Sequence, residues 1–322
     1  MLGLLTYISE AITGTFYDDL RPLEMADWSR QDDQYGQPRG NPRPRQKAES
    51  NRIIMKNLFL SRRRCIQVSA LAGCAMLLDG RASAAEEPLS ADHNRPGPIA
   101  PQGTGQLRSL MEQLGKAPRR RDFKTVPMIL DTPDLWDAGP LDAIIAYRGG
   151  RKQVWDNTEI GGPWLNLMRN SLNAQVFSFR HPDFLEISAT HGSAHLALYD
   201  QAMWDKYQLA AMAGRDSKTN TLIDTKDLPT DMAAHEDPNS VFGAAGNTIP
   251  ALQQRGVVFL ACHNTIWEHT AKLLEKGINP DRRSHEAIAA ELTNHLIDSV
   301  VLTPGMVATI LELQQAGFHY AK

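Results

Sequence analysis

Three cysteines in 322 residues are too few for a disulfide scaffold. Two of them, Cys65 and Cys74, sit in or at the end of one apolar stretch near the front of the chain, which leaves Cys262 alone in the remainder. After Leu78 no apolar run approaches the length that spans a bilayer. Positive charge is not in excess: the net charge is -3 and the pI ≈ 6.4. That balance argues against a nucleic-acid partner, and Arg119-Arg120-Arg121 reads as a solvated face. The chain has no Walker loop, no G-x-G-x-x-G after a strand, no G-x-S-x-G elbow and no H-E-x-x-H. Nucleotide-dependent and hydrolase chemistry therefore have no support, and no cofactor is expected.

What is present begins with a targeting pattern at 55–84. Ser61-Arg62-Arg63-Arg64-Cys65-Ile66-Gln67 has the form of a twin-arginine export signal, the apolar run Cys65 to Leu78 follows, and Ala82-Ser83-Ala84 supplies the small residues a signal peptidase accepts. Cleavage after Ala84 delivers a soluble periplasmic protein whose one thiol is Cys262. Leu71-Ala72-Gly73-Cys74 overlaps this pattern as a lipobox, which would instead leave the protein lipid-anchored through Cys74. Such a signal works at an N-terminus, so the sequence predicts translation from Met55. Residues 1–54, rich in Gln, Gly, Pro and Arg between Tyr35 and Ser50, then read as a non-native or disordered upstream extension.

Residues 85–125 read as a flexible linker and lead-in, with a helix-like Gln106 to Leu114, and 126–322 as the main domain. Strand patterns are expected at Leu141 to Tyr147, Phe184 to Thr190, Val257 to Ala261 and Ser299 to Leu302, with an edge strand at Phe318 to Tyr320. Helix patterns alternate with them: Trp164 to Leu172, Ala194 to Leu209 capped by Ser193, Ile249 to Gln254, Ile266 to Lys276, His285 to Ile297 and Met306 to Ala316. That alternation predicts an α/β three-layer domain with a mostly parallel sheet. The polar stretch 213–247 breaks the rhythm and reads as an insertion, near the site, at an oligomer contact, or as a loop without a role.

In open parallel sheets, ligands bind outside the carboxyl ends of the strands. Two such ends carry chemistry: His191-Gly192-Ser193 after one strand, and Cys262-His263-Asn264-Thr265 after the next. Cys262 meets a helix N-terminus, whose N–H groups and dipole favour a thiolate. His191 and His263 are the candidate proton carriers, and Gly192, Ser193, Asn264 and Thr265 the candidate substrate contacts.

The stretches Gly256-Val-Val-Phe-Leu-Ala-Cys262, Val300-Val-Leu-Thr-Pro-Gly-Met306 and Leu311-Glu-Leu-Gln-Gln-Ala-Gly317-Phe-His-Tyr320 resemble the DsrE/DsrF-like sulfur-relay family. The unit Phe184 to Tyr207 resembles that family's second strand, so the likeness covers about Leu141 to Lys322. The resemblance implies a flavodoxin-like domain, a homo-oligomer (trimer or hexamer), and sulfur carried on Cys262 as a persulfide. Partners would be small sulfur species or a partner protein thiol, with the twin-arginine translocase acting during export; any catalysis would be sulfurtransferase-like. Two other readings stay open: a metal site drawn from Cys262, His263, His269, His191 and His195, and a non-catalytic assembly module using Trp204, Tyr207 and Trp267.

Overall fold

The computed structural model describes residues 99–322. The export signal 55–84, the lipobox Cys74, the upstream stretch 1–54 and the first part of the linker, 85–98, lie outside the described residues.

The apolar runs at the centre of the sequence form strands buried on both faces. In β2 (Leu185–Thr190) and β3 (Val258–Cys262) every residue is buried, as is each residue of the short β4 (Val301–Thr303). With β1 (Lys152–Asn157) and β5 (His319–Ala321) they make one five-stranded sheet, ordered β4-β3-β2-β1-β5, with every pairing parallel. Strand alternation divides the side chains between two layers.

One layer consists of α1 (Gln106–Lys116), α2 (Ala138–Ile145) and α9 (Met306–Gln315), packed on Val154, Leu185, Ile187, Ala189, Leu260 and Cys262. The other holds α3 (Trp164–Asn173), α4 (Gln201–Lys206), the single turn α5 (Leu209–Met212), α6 (Ile249–Gln254), α7 (His263–Glu275) and α8 (His285–Asn294), packed on Phe259, Ala261 and Leu302. Each fully buried Leu or Phe in these layers contributes about 2 kcal/mol. The domain is α/β, three-layered and flavodoxin-like, with β1 flanked by β2 on one side and by the last strand, β5, on the other. Helix α1 belongs to it, since Leu107, Leu110 and Leu114 are buried against the sheet.

Several elements differ from the sequence expectation. Leu141 to Tyr147 is not a strand: it lies in and just after α2, where Pro140 occupies the first turn and Pro140, Leu141 and Ile144 bury one side of the helix. A short apolar run fits a buried helix as well as a strand. The first strand is instead the polar Lys152–Asn157. Its polar groups are satisfied from neighbouring elements: Ser171 Oγ donates to Gln153 Oε1 at 2.8 Å and Trp155 Nε1 donates to Glu186 Oε1 at 2.7 Å. Burial pushes the Glu186 carboxyl up to about 8. The single helix expected from Ala194 to Leu209 is a 3-10 segment, Gly192–Leu198, followed by α4 and α5. Asp200, not Ser193, caps the first α-helix there, accepting from the Met203 N–H. The 213–247 insertion carries 3-10 turns at Thr221–Ile223, Met232–Glu236 and Ala244–Gly246, and buries Val241 and Phe242. Among the described residues no helix is long and apolar enough to cross a membrane.

The exposed edge of β4 is covered by one residue. Asp137 accepts from the Leu302 N–H at 2.7 Å through its carboxylate, donates its own N–H to Leu302 O at 3.1 Å, and pairs with Arg121 at 2.8 Å. Both partners of the ion pair are largely withdrawn from solvent, so removing one strands the other. We expect Asp137→Ala to lower the unfolding free energy by about 3 kcal/mol in urea titrations, whereas Phe179→Ser on the exposed surface should change it by less than about 0.5 kcal/mol.

Candidate functional site

The connections that leave β1, β2 and β3 run through the α3 to α8 layer, and the connection that leaves β4 runs back through α9 on the opposite face. Direction therefore reverses between β3 and β4, and in open parallel sheets the carboxyl ends at such a reversal are where ligands generally bind. Cys262 ends β3 at that place, paired in register with Thr303 of β4. It is the N-terminal cap residue of α7. Its Sγ also accepts the N–H of Met306, the first residue of α9, at 3.3 Å. The thiol thus lies where two helices of ten or more residues begin, and it is free and only 3% exposed.

Gly305 lets the two turns meet. A Cβ at that position would stand 3.0 Å from Asn264 Nδ2, so the exposed Asn264 of α7 rests against the β4–α9 turn.

His191 follows β2 as Cys262 ends β3, one residue beyond the registered pair Thr190 and Ala261. The alternation that puts Ile187, Ala189, Leu260 and Cys262 on the α9 side carries His191 to that side too. Its Nε2 is 2.6 Å from Asp156 Oδ1 in β1, and Tyr320 of β5 donates its hydroxyl to Asp156 Oδ2 at 2.6 Å. Lys322 Nζ lies 3.9 Å from the same oxygen. Burial opposes ionisation of Asp156 but is outweighed by the hydrogen bonds from Tyr320 and His191 and by the neighbouring positive charges, so the carboxyl is held below its ordinary range. Cysteine, histidine and aspartate therefore stand in order across β3, β2 and β1.

The remaining expected residues are placed as follows. His263 is fully buried and directed away from chemistry: its Nε2 donates to Pro127 O at 2.8 Å, and burial lowers its basicity. Ser193 Oγ donates to Thr158 O and accepts from Ile160 N–H, and a Cβ on Gly192, which has φ +55, would stand 2.7 Å from Thr158 O. Both residues hold the β1–α3 loop against the end of β2. Thr265 is buried within α7. Trp204 and Tyr207, considered above as assembly contacts, are core residues.

Asp156, Tyr320 and Met306 were not expected at the site. Tyr320 and Met306 fall in the C-terminal stretches that carry the family resemblance, but nothing in Lys-Gln-Val-Trp-Asp-Asn singles out Asp156.

A second imidazole pair lies deeper, on the α7 side. His195 and His269 are both buried, with ring centroids 5.8 Å apart, and Tyr199 Oη is 3.4 Å from His269 Nδ1. Among the described residues neither ring nitrogen of His195 has a hydrogen-bond partner. Among the described residues no three His, Cys, Asp or Glu side chains are grouped to hold a metal ion. Burial holds His195 well below its ordinary value and brings His269 down to about 3. A histidine depressed in the folded state is protonated first in the unfolded chain, so its contribution to stability is complete above about pH 6.5 and is lost as pH falls towards the folded value. We expect the urea midpoint to fall between about pH 6.5 and pH 3, and the fall to become shallower in His269→Phe.

Comparison with family models, with curated proteins and with solved structures found no match for this chain.

Proposed function

We propose that the protein is an exported, periplasmic relative of the DsrE/DsrF-like sulfur-relay proteins that takes up sulfane sulfur on Cys262 and passes it to a partner thiol. One observation carries this reading: Cys262 Sγ accepts the N–H of Met306 at the start of α9, at the reversal of the sheet and on the face that bears the His191–Asp156 pair. A lone free thiol in that position, without a disulfide partner among the described residues, suits exchange chemistry rather than a structural bridge.

The reaction proceeds in two displacements. The Cys262 thiolate attacks the outer sulfur of a donor such as thiosulfate; a sulfur–sulfur bond forms, and the electron pair of the broken bond leaves with sulfite. A partner thiolate then attacks the terminal sulfur of the Cys262 persulfide, which returns the Cys262 thiolate and leaves the persulfide on the partner. His191 receives the thiol proton on the ring nitrogen not engaged by Asp156, and Asp156 stabilises the imidazolium. The Met306 N–H faces the negative charge on sulfur in each step. His263, fixed on Pro127, has no part in proton transfer. At 3% exposure the thiol admits a small sulfur species more readily than a protein surface. Donor and acceptor are periplasmic in this reading, and the protein acts as a homo-oligomer.

The test is intact-protein mass spectrometry after incubation with thiosulfate, polysulfide or a glutathione persulfide. One sulfur mass is expected on the protein, absent in Cys262→Ser, and loading should slow roughly 100-fold in His191→Ala. Failure of every donor to add sulfur to a protein whose Cys262 iodoacetamide still alkylates would rule the reading out.

A further inference from the structure

We propose a second ligand site at the opposite end of the sheet, for a small carboxylate with an apolar tail. A cavity of about 230 Å³ opens where β3 begins, one strand length from Cys262. Its floor is apolar, with Met111 and Leu114 from α1, Ala251 from α6, and Val257 and Val258 leading into the strand. Close packing normally leaves no void much larger than a water molecule in a protein interior. A cavity of about 150 Å³ lined by apolar side chains stays dry and takes up benzene; in proportion, this one holds about nine non-hydrogen atoms.

The mouth supplies the polar recognition. Arg119, Asp224 and Lys226 line it, two cations to one carboxylate. The Arg119 guanidinium is held in place by Nη1, which donates to Leu114 O at 3.0 Å and Ala117 O at 2.6 Å at the end of α1. Desolvation holds its basicity below the ordinary value, and the charge it presents to the mouth has no carboxylate bonded to it among the described residues. Asp224 and Lys226 form no ion pair among the described residues. Lys226 is exposed and stands at the rim. An anionic head group set against the Arg119 and Lys226 cations, with its chain on the Leu114 and Val257 floor, meets both the positive charge and the apolar surface. Asp224 and Lys226 come from the 213–247 insertion, so this segment forms one wall of the site and gives it a role distinct from the sulfur chemistry.

The class is tested by isothermal titration of the full chain with octanoate, octylamine and octanol. Octanoate should bind one-to-one with a Kd of about 10–100 µM, and at least tenfold tighter than either neutral or cationic analogue. Arg119→Gln should weaken it about tenfold, and Ala251→Phe, which fills the cavity, should abolish it. Lys226→Glu, a change at an exposed position, keeps the test decisive should Ala251→Phe fail to fold: it must weaken octanoate without altering alkylation of Cys262. Octylamine or octanol binding as tightly as octanoate, octanoate binding unchanged in Lys226→Glu, or no octanoate binding to the parent chain would each overturn the proposal. Cys262→Ser should bind octanoate normally, which separates this outcome from that of the sulfur reading.

Discussion

A parallel sheet has to be covered on both faces, and most of this structure follows from that constraint. Three successive crossovers lay α3 to α8 on one face and carry the chain to β4 at the edge. The uncovered face is then closed by α1, α2 and α9, and α9 reaches it by reversing the direction of travel. The reversal falls at the carboxyl ends of β3 and β4, and the cysteine stands there because it is the last residue of β3. The site is thus a by-product of how the core is sealed. The thiol needs no dedicated loop, since two helix starts and a strand end already meet around it.

The sequence made parts of this legible because burial and periodicity coincide there. β2, β3 and β4 are apolar throughout and are buried throughout, and α7 and α9 start almost where their apolar spacing begins. The two errors at the front of the sheet share a cause. Leu141 to Tyr147 is apolar without being a strand, because it covers the sheet rather than joining it, and Lys152–Asn157 is a strand without being apolar, because Ser171 and Glu186 satisfy its side chains. Such pairings depend on partners 18 and 31 residues away, which local patterning cannot register.

The candidate site was legible to the same degree. Cys262 and His191 follow strands, so their positions could be read from strand ends. Asp156 could not, because its strand was not recognisable, and neither could the diversion of His263 to Pro127, which depends on how the segment before α2 folds over α7. Neighbours in sequence proved a poor guide to neighbours in chemistry: the histidine beside the cysteine faces a backbone carbonyl, and the one 71 positions earlier shares its sheet face.

β5 gives this design a temporal side. Its Tyr320 reaches Asp156 across 164 residues, and the strand pairs only with β1, at the far edge of the sheet from β4. Contacts of such sequence separation form late, because the loop they close is long and its entropy must be overcome before the contact is rewarded. The Tyr320–Asp156 contact belongs to this long-range set, with Arg121–Val300 across 179 residues and Phe123–Asn294 across 171. The surroundings of Asp156 are thus completed by the final strand of the chain and not by its own loop, so they exist only when the two ends of the domain have met.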